Sequence, residues 1–156
     1  MKNIRIVAFL LLIASVAVFA GCKNVGEEGF QNDIPEGVEQ KVWFDELFIV
    51  AYPGELADVG EIYFSKTFIY GDSSSEQPVI FMVSEPISSI KVTSKDDTEP
   101  YEISLLEPND ALIITRQLDE TPSVELRFKD KGGKKHAYAI YRDAETGNAG
   151  YIRLEK

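Results

Sequence analysis

One cysteine, one histidine, one tryptophan and two methionines are all that 156 residues contain of these types. Each shortage removes a class of chemistry. A single cysteine cannot close an intramolecular disulfide, and a single histidine gives no zinc cluster and no His-based catalytic triad. Bases are scarce as well: 16 Lys and Arg stand against 26 Asp and Glu, a formal net charge of −10. Contacts to phosphate need a basic face, so nucleic acid is not an expected partner. The longest apolar run covers residues 6–20 and is 15 residues long, short of the roughly 18–20 that a comfortable membrane span requires. What remains is ordinary for a folded domain. The chain is 44% hydrophobic and 27% charged, enough to bury a core and of a length suited to one domain.

The apolar run follows Lys2 and Arg5 and ends in Phe19-Ala20-Gly21-Cys22. A basic start, an apolar stretch and small residues make an export signal over residues 1–21. The last four residues resemble the lipobox of bacterial lipoproteins, with Phe19 standing where that motif more often has Leu. The resemblance covers residues 1–22. It implies that Cys22 is lipidated and becomes the new N-terminus, tying the chain to the bacterial cell membrane or outer membrane. The only cysteine lies where the lipid would go, and a free exposed thiol is otherwise a liability. Loss of residues 1–21 removes Lys2 and Arg5 and no acid, which lowers the formal charge to −12.

Residues 22–40 carry five acids, one base, three glycines and a proline, a composition that reads as an acidic flexible tether. Phe30, Ile34 and Val38 are spaced by four and offer an alternative, a short helix or an edge segment packed on the domain. Residues 41–156 then form the domain. Apolar or alternating runs at 42–51, 61–70, 79–84, 87–94, 101–106, 111–116, 124–129, 136–142 and 150–154 are divided by Gly, Pro, Asn and Asp. Seven to nine strands in this length predict an all-β fold, an antiparallel immunoglobulin-like β-sandwich, with a small up-and-down barrel as the alternative. The unbroken run 79–83 suits a central strand buried on both faces.

The last three strands allow a register to be derived. A two-residue loop at Gly132-Gly133 sets Val124 opposite Tyr141, Leu126 opposite Ala139 and Phe128 opposite Ala137, with large facing small. A four-residue loop at Ala144-Glu145-Thr146-Gly147 sets Tyr141 opposite Gly150 and Ala139 opposite Ile152. Together they predict an outward row of Arg127, Tyr138 and Arg153 beside Ile140 and Tyr151. Tyr and Arg are enriched at interface hot spots, so these five residues form the candidate interaction face.

Other motifs fail on geometry. Ser88-Ser89-Ile90-Lys91 has the Ser-x-x-Lys spacing of penicillin-binding enzymes, but it sits in a strand pattern rather than a helix, with no Ser-Asp-Asn or Lys-Thr-Gly companion. His136 lies beside Lys134 and Lys135 and reads as a solvated strand residue. The acidic turns at 96–99 and 143–148 lack calcium-loop spacing. No catalytic residue, metal site or cofactor is expected. Residues 127–135 hold five bases and one acid, a local excess that could meet an anionic envelope polymer or a lipid headgroup. The functional expectation is a membrane-anchored envelope lipoprotein with a non-catalytic binding or structural module contacting a protein partner. The alternatives are a small envelope hydrolase using carboxylate or serine chemistry, or a module that binds anionic polymer.

Overall fold

Short runs of Val, Ile, Leu and Phe, each too brief for a helix and each closed by a turn residue, assemble into two stacked sheets. The computed structural model describes residues 29–36, 42, 44, 46–71 and 77–155. The signal segment 1–21, Cys22 and tether residues 23–28 and 37–40 lie outside the described residues. Ten strands are present: β1 (Phe30–Gln31), β2 (Phe48–Ala51), β3 (Lys66–Tyr70), β4 (Val79–Val83), β5 (Ile87–Ser94), β6 (Tyr101–Leu106), β7 (Asp110–Ile114), β8 (Val124–Lys129), β9 (Lys135–Arg142) and β10 (Ala149–Arg153). They form two five-stranded sheets ordered β1-β3-β7-β4-β2 and β10-β9-β8-β5-β6. Neither sheet closes on itself, so the chain is an all-β sandwich and not a barrel. Every pairing is antiparallel except that of β3 with β7.

The tenth strand is β1, drawn from the segment read as tether. Phe30 pairs with Thr67 and Gln31 with Lys66, and the Asn32 amide donates to the Ser65 carbonyl at 3.0 Å. Phe30 and Gln31 therefore form an edge segment of the first sheet. The expected strands at 42–51 and 61–70 are shortened to β2 and β3, because their first halves do other work. β1 and β2 occupy opposite edges of the first sheet, so the chain between them has to cross it, and the β2–β3 connection has to cross back. Val42 and Phe44 from the first crossing and Val59, Ile62 and Phe64 from the second pack over Ala51, Ile80, Met82, Ala111 and Ile113. The outer face of the first sheet is thereby covered. All five residues of β4 and all five of β7 are buried, as a strand with apolar side chains on both faces requires.

The main core lies between the sheets. Phe68, Phe81, Leu112 and Ile114 from the first meet Ile90, Val92, Leu126, Phe128 and Ile140 from the second. Phe48 of β2 reaches across to Tyr138 and Tyr151, with ring centroids 4.7 and 4.8 Å away, and lies 5.1 Å from Phe81.

The register expected for β8 and β9 is one residue off. The observed pairs are Val124 with Ile140, Leu126 with Tyr138 and Phe128 with His136. The loop has three residues rather than two: the Gly133 amide donates to the Asp130 carbonyl, the Asp130 amide donates to the Lys134 carbonyl, and Gly133 takes φ +81°. A type I turn closed by a left-handed glycine suits Asp130-Lys131-Gly132-Gly133, with Asp at the first position and Gly at the fourth. Since side chains alternate with period two, this slip exchanges the faces of β9. Tyr138 and Ile140 point into the core, 6% and 0% exposed. The β9–β10 register matches expectation, with Tyr141 opposite Gly150 and Ala139 opposite Ile152, so β10 is exchanged along with β9.

The corrected register separates two isoleucines by consequence. Ile140→Ala should lower stability by about 2–5 kcal/mol through a buried cavity, while Ile152→Ala, at a position 43% exposed, should stay within about 0.5 kcal/mol. Urea unfolding of the two variants measures both. Similar losses for the pair would show the faces assigned wrongly.

Candidate functional site

The candidate interaction face is not brought together. Arg127 is exposed on the outer side of the second sheet, opposite Ala137, and its Nε donates to Glu125. Tyr138 and Ile140 are in the core, and Tyr151 packs against that core from β10. Arg153 is exposed on the same edge strand, paired with Tyr138. The corrected outer face carries Ala137, Ala139, Tyr141 and Ile152 instead. The Tyr141 ring lies over Gly150, where a Cβ would fall 2.9 Å from the ring carbon Cζ, so an aromatic side chain covers the backbone that glycine leaves bare. Two charge pairs already lie on this face, Arg127 with Glu125 and Lys91 with Glu102, the latter at 2.5 Å, which also removes Lys91 from any serine–lysine arrangement.

Sequence reasoning missed the most organised polar group, which sits at one end of the sandwich. The turn after β5 places Asp97 beneath β3 and the segment that follows β7. Asp97 accepts from the Tyr70 hydroxyl and from Arg116 Nη2, and its Oδ2 also accepts from the Ser94 amide at 2.8 Å. The Arg116 guanidinium carbon stands 5.3 Å from the centroid of the Tyr70 ring, a cation–π arrangement. The Asp97 side chain is 9% exposed and that of Arg116 is 34% exposed, so the pair is desolvated on one side only. Burial first, then the hydrogen bond to Asp97, drives the Tyr70 phenol far above its ordinary value of 10.0. Tyr101, 5.8 Å away by ring centroid, is also raised by burial. Nothing in the spacing of Tyr70, Asp97 and Arg116 announces their meeting, because three separate strand ends deliver them.

Arg116 faces a cleft of about 420 Å³. Lys95 and Asp96 line it from the β5–β6 turn, Arg116 and Gln117 from the end of β7, and Asp119 and Ser123 from the approach to β8. The cleft offers donors and acceptors of both signs and holds its arginine in a fixed orientation.

His136 is not a solvated strand residue. Its side chain is 10% exposed and stacks on Phe128 at 5.2 Å with an interplanar angle of 16°. Its Nε2 lies 2.8 Å from Asp130 Oδ2. A carboxylate only accepts, which assigns the ring proton to Nε2, and Nδ1 is buried without a partner among the described residues. The hydrogen bond from His136, followed by that of the Lys134 amide, holds Asp130 below its ordinary 3.8. Among the described residues no group of three or more His, Cys, Asp and Glu is placed to hold a metal. No family model matches the chain, and no curated protein or solved structure matches it either.

Asp97→Ala should cost about 2–3 kcal/mol, since it strips an acceptor from the Tyr70 hydroxyl, the Arg116 guanidinium and the Ser94 amide together. Tyr70→Phe should cost about 1 kcal/mol. The pH dependence has a defined sign. A phenol raised in the folded state adds stability that is whole below pH 10 and is lost as pH climbs toward the folded value. The parent should therefore lose stability above pH 10 more steeply than Tyr70→Phe in urea midpoints. Equal slopes would separate Tyr70 from the network.

Proposed function

We propose that the chain is an exported bacterial envelope lipoprotein, held at the membrane by lipid on Cys22, whose β-sandwich is a non-catalytic binding or structural module for an envelope protein. One observation carries the reading. The only cysteine ends a leader of basic then apolar residues in Phe19-Ala20-Gly21-Cys22, and the described part of the chain begins seven positions later, at Gly29. Two or more acyl chains on such a cysteine anchor firmly where one does so only marginally.

What the reactive side chains are doing supports the module over the hydrolase. Asp97 is occupied by Tyr70 and Arg116, and His136 by Asp130 and the Phe128 ring. Asp143 Oδ1 accepts from the Glu145 and Thr146 amides at 3.0 and 2.8 Å. Carboxylates and imidazole used in this way fix turns and seams, whereas general acid–base work needs a converging pair beside a substrate position. The mixed donors and acceptors around Arg116 suit a peptide-like partner, with the arginine as its oriented contact.

Cells grown with an alkyne-bearing fatty acid should attach label to the protein, and Cys22→Ser should carry none. A Cys22→Ser chain that is labelled and membrane-bound like the parent would overturn the reading.

A further inference from the structure

We infer that the lysine hairpin between β8 and β9 is a second membrane contact, resting its ammonium groups on anionic headgroups of the bilayer that holds the acyl chains. This deepens the lipoprotein reading and rests on it.

The hairpin carries Lys129, Lys131, Lys134 and Lys135, all exposed, and none of the four is in an ion pair among the described residues. The single acid of the hairpin does not neutralise them. Asp130 spends Oδ1 on the Lys134 amide at 2.8 Å and Oδ2 on His136 at 2.8 Å, so its charge is directed into the turn. The same two bonds and the left-handed Gly133 fix the backbone of the tip, so contact has only the lysine side chains to order.

Chain length brings the tip within reach of a bilayer. Seven positions separate Cys22 from Gly29, at most about 25 Å of extended chain. Gly29 precedes Phe30, which pairs with Thr67, the second of the five residues of β3, so the described chain begins along the sheet edge between the two ends of the sandwich. The hairpin's own end also exposes Glu46 and Glu107, so the attraction rests on the hairpin itself, where four lysines stand against Asp130. The loops opposite the hairpin expose Asp96, Glu99, Asp119, Glu120 and Glu145 against Lys95 and Arg142. An anionic surface repels that end and attracts the hairpin, and because screening acts within about 8–10 Å, only the end that touches the surface feels it strongly. Acyl chains and a basic patch are the two signals that together make anchoring stable.

Amine footprinting tests this on the lipidated protein, purified from membranes, with its acyl mass verified first. The protein is reconstituted on phosphatidylcholine vesicles with and without phosphatidylglycerol, its lysines are acetylated briefly, and peptides are quantified by mass. On the anionic vesicles Lys131, Lys134 and Lys135 should react roughly fivefold less, Lys95 should be unchanged, and molar salt should erase the difference. Equal reactivity on both vesicles, or protection of Lys95 instead, overturns the proposal. Protection by soluble polyphosphate on phosphatidylcholine vesicles with none on phosphatidylglycerol also overturns it and assigns the hairpin to polymeric anions. A chain without the acyl mass overturns the anchor itself, a result read before any labelling.

Discussion

Phe48 is where the two sheets are joined, and much of the structure follows from that contact. It sits on β2, the edge of the first sheet, yet its ring meets Phe81 beside it and Tyr138, Tyr151 and Phe128 across the interface at 4.7–6.0 Å. The pairs are tilted or edge-on, the geometry in which aromatic contacts add about 0.5–1.5 kcal/mol each beyond burial. The register that the turn gives β9 also serves this cluster. A slip of one residue would withdraw Tyr138 from the cluster and offer Ala137 in its place. The same seam is fastened outside the core by Glu55, whose Oε2 accepts from the Tyr52 amide at 2.7 Å and the Ala149 amide at 3.0 Å, tying the end of β2 to the start of β10.

The opposite lateral seam is built from different chemistry. Tyr70 of β3 and Tyr101 of β6 approach across the sheets, and Asp97 with Arg116 closes the end above them. Charges there are held by hydrogen bonds rather than by packing, which explains why the cleft lies at this side. An aromatic seam fills its own volume, whereas an ion pair that is only partly desolvated leaves polar groups turned outward. Removing one member of such a pair leaves its partner unsatisfied, so the cleft and the stability of this end are coupled.

Much of the architecture was legible because it rests on period and punctuation. Strands β5, β6 and β8 begin and end where the turn residues put them, and the unbroken run of β4 correctly implied cover on both faces. The register of β9 was not legible from alternation, since Lys135–Arg142 is apolar on both faces: Ala137, Ala139 and Tyr141 on one, Tyr138 and Ile140 on the other. Pairing large with small residues chose the wrong side. The better signals were local: Asp130 at the start of a type I turn and Gly133 at its left-handed end, together with the greater volume that Tyr138 and Ile140 bring to a core. The Asp97 node and the docking of β1 depend on long-range placement, which no window of the sequence contains.

β1 changes what the N-terminal segment can do. Paired to β3, it occupies the edge of the first sheet, which would otherwise expose unpaired amides and carbonyls. A free segment through residue 40 would let the sandwich tumble well away from an anchor at Cys22, and the domain would present all sides equally. Under the proposed lipid on Cys22, a connection of seven positions to Gly29 would keep the domain close to the membrane, with its orientation set by charge. The hairpin is basic and the loops around the cleft are acidic. With the lysines toward an anionic surface, the cleft beside Arg116 opens away from the lipid, on the side from which a protein partner could approach. In the proposed arrangement the short connection and the basic hairpin would be complementary: the first limits distance, and only within that distance is unscreened charge strong enough to set direction.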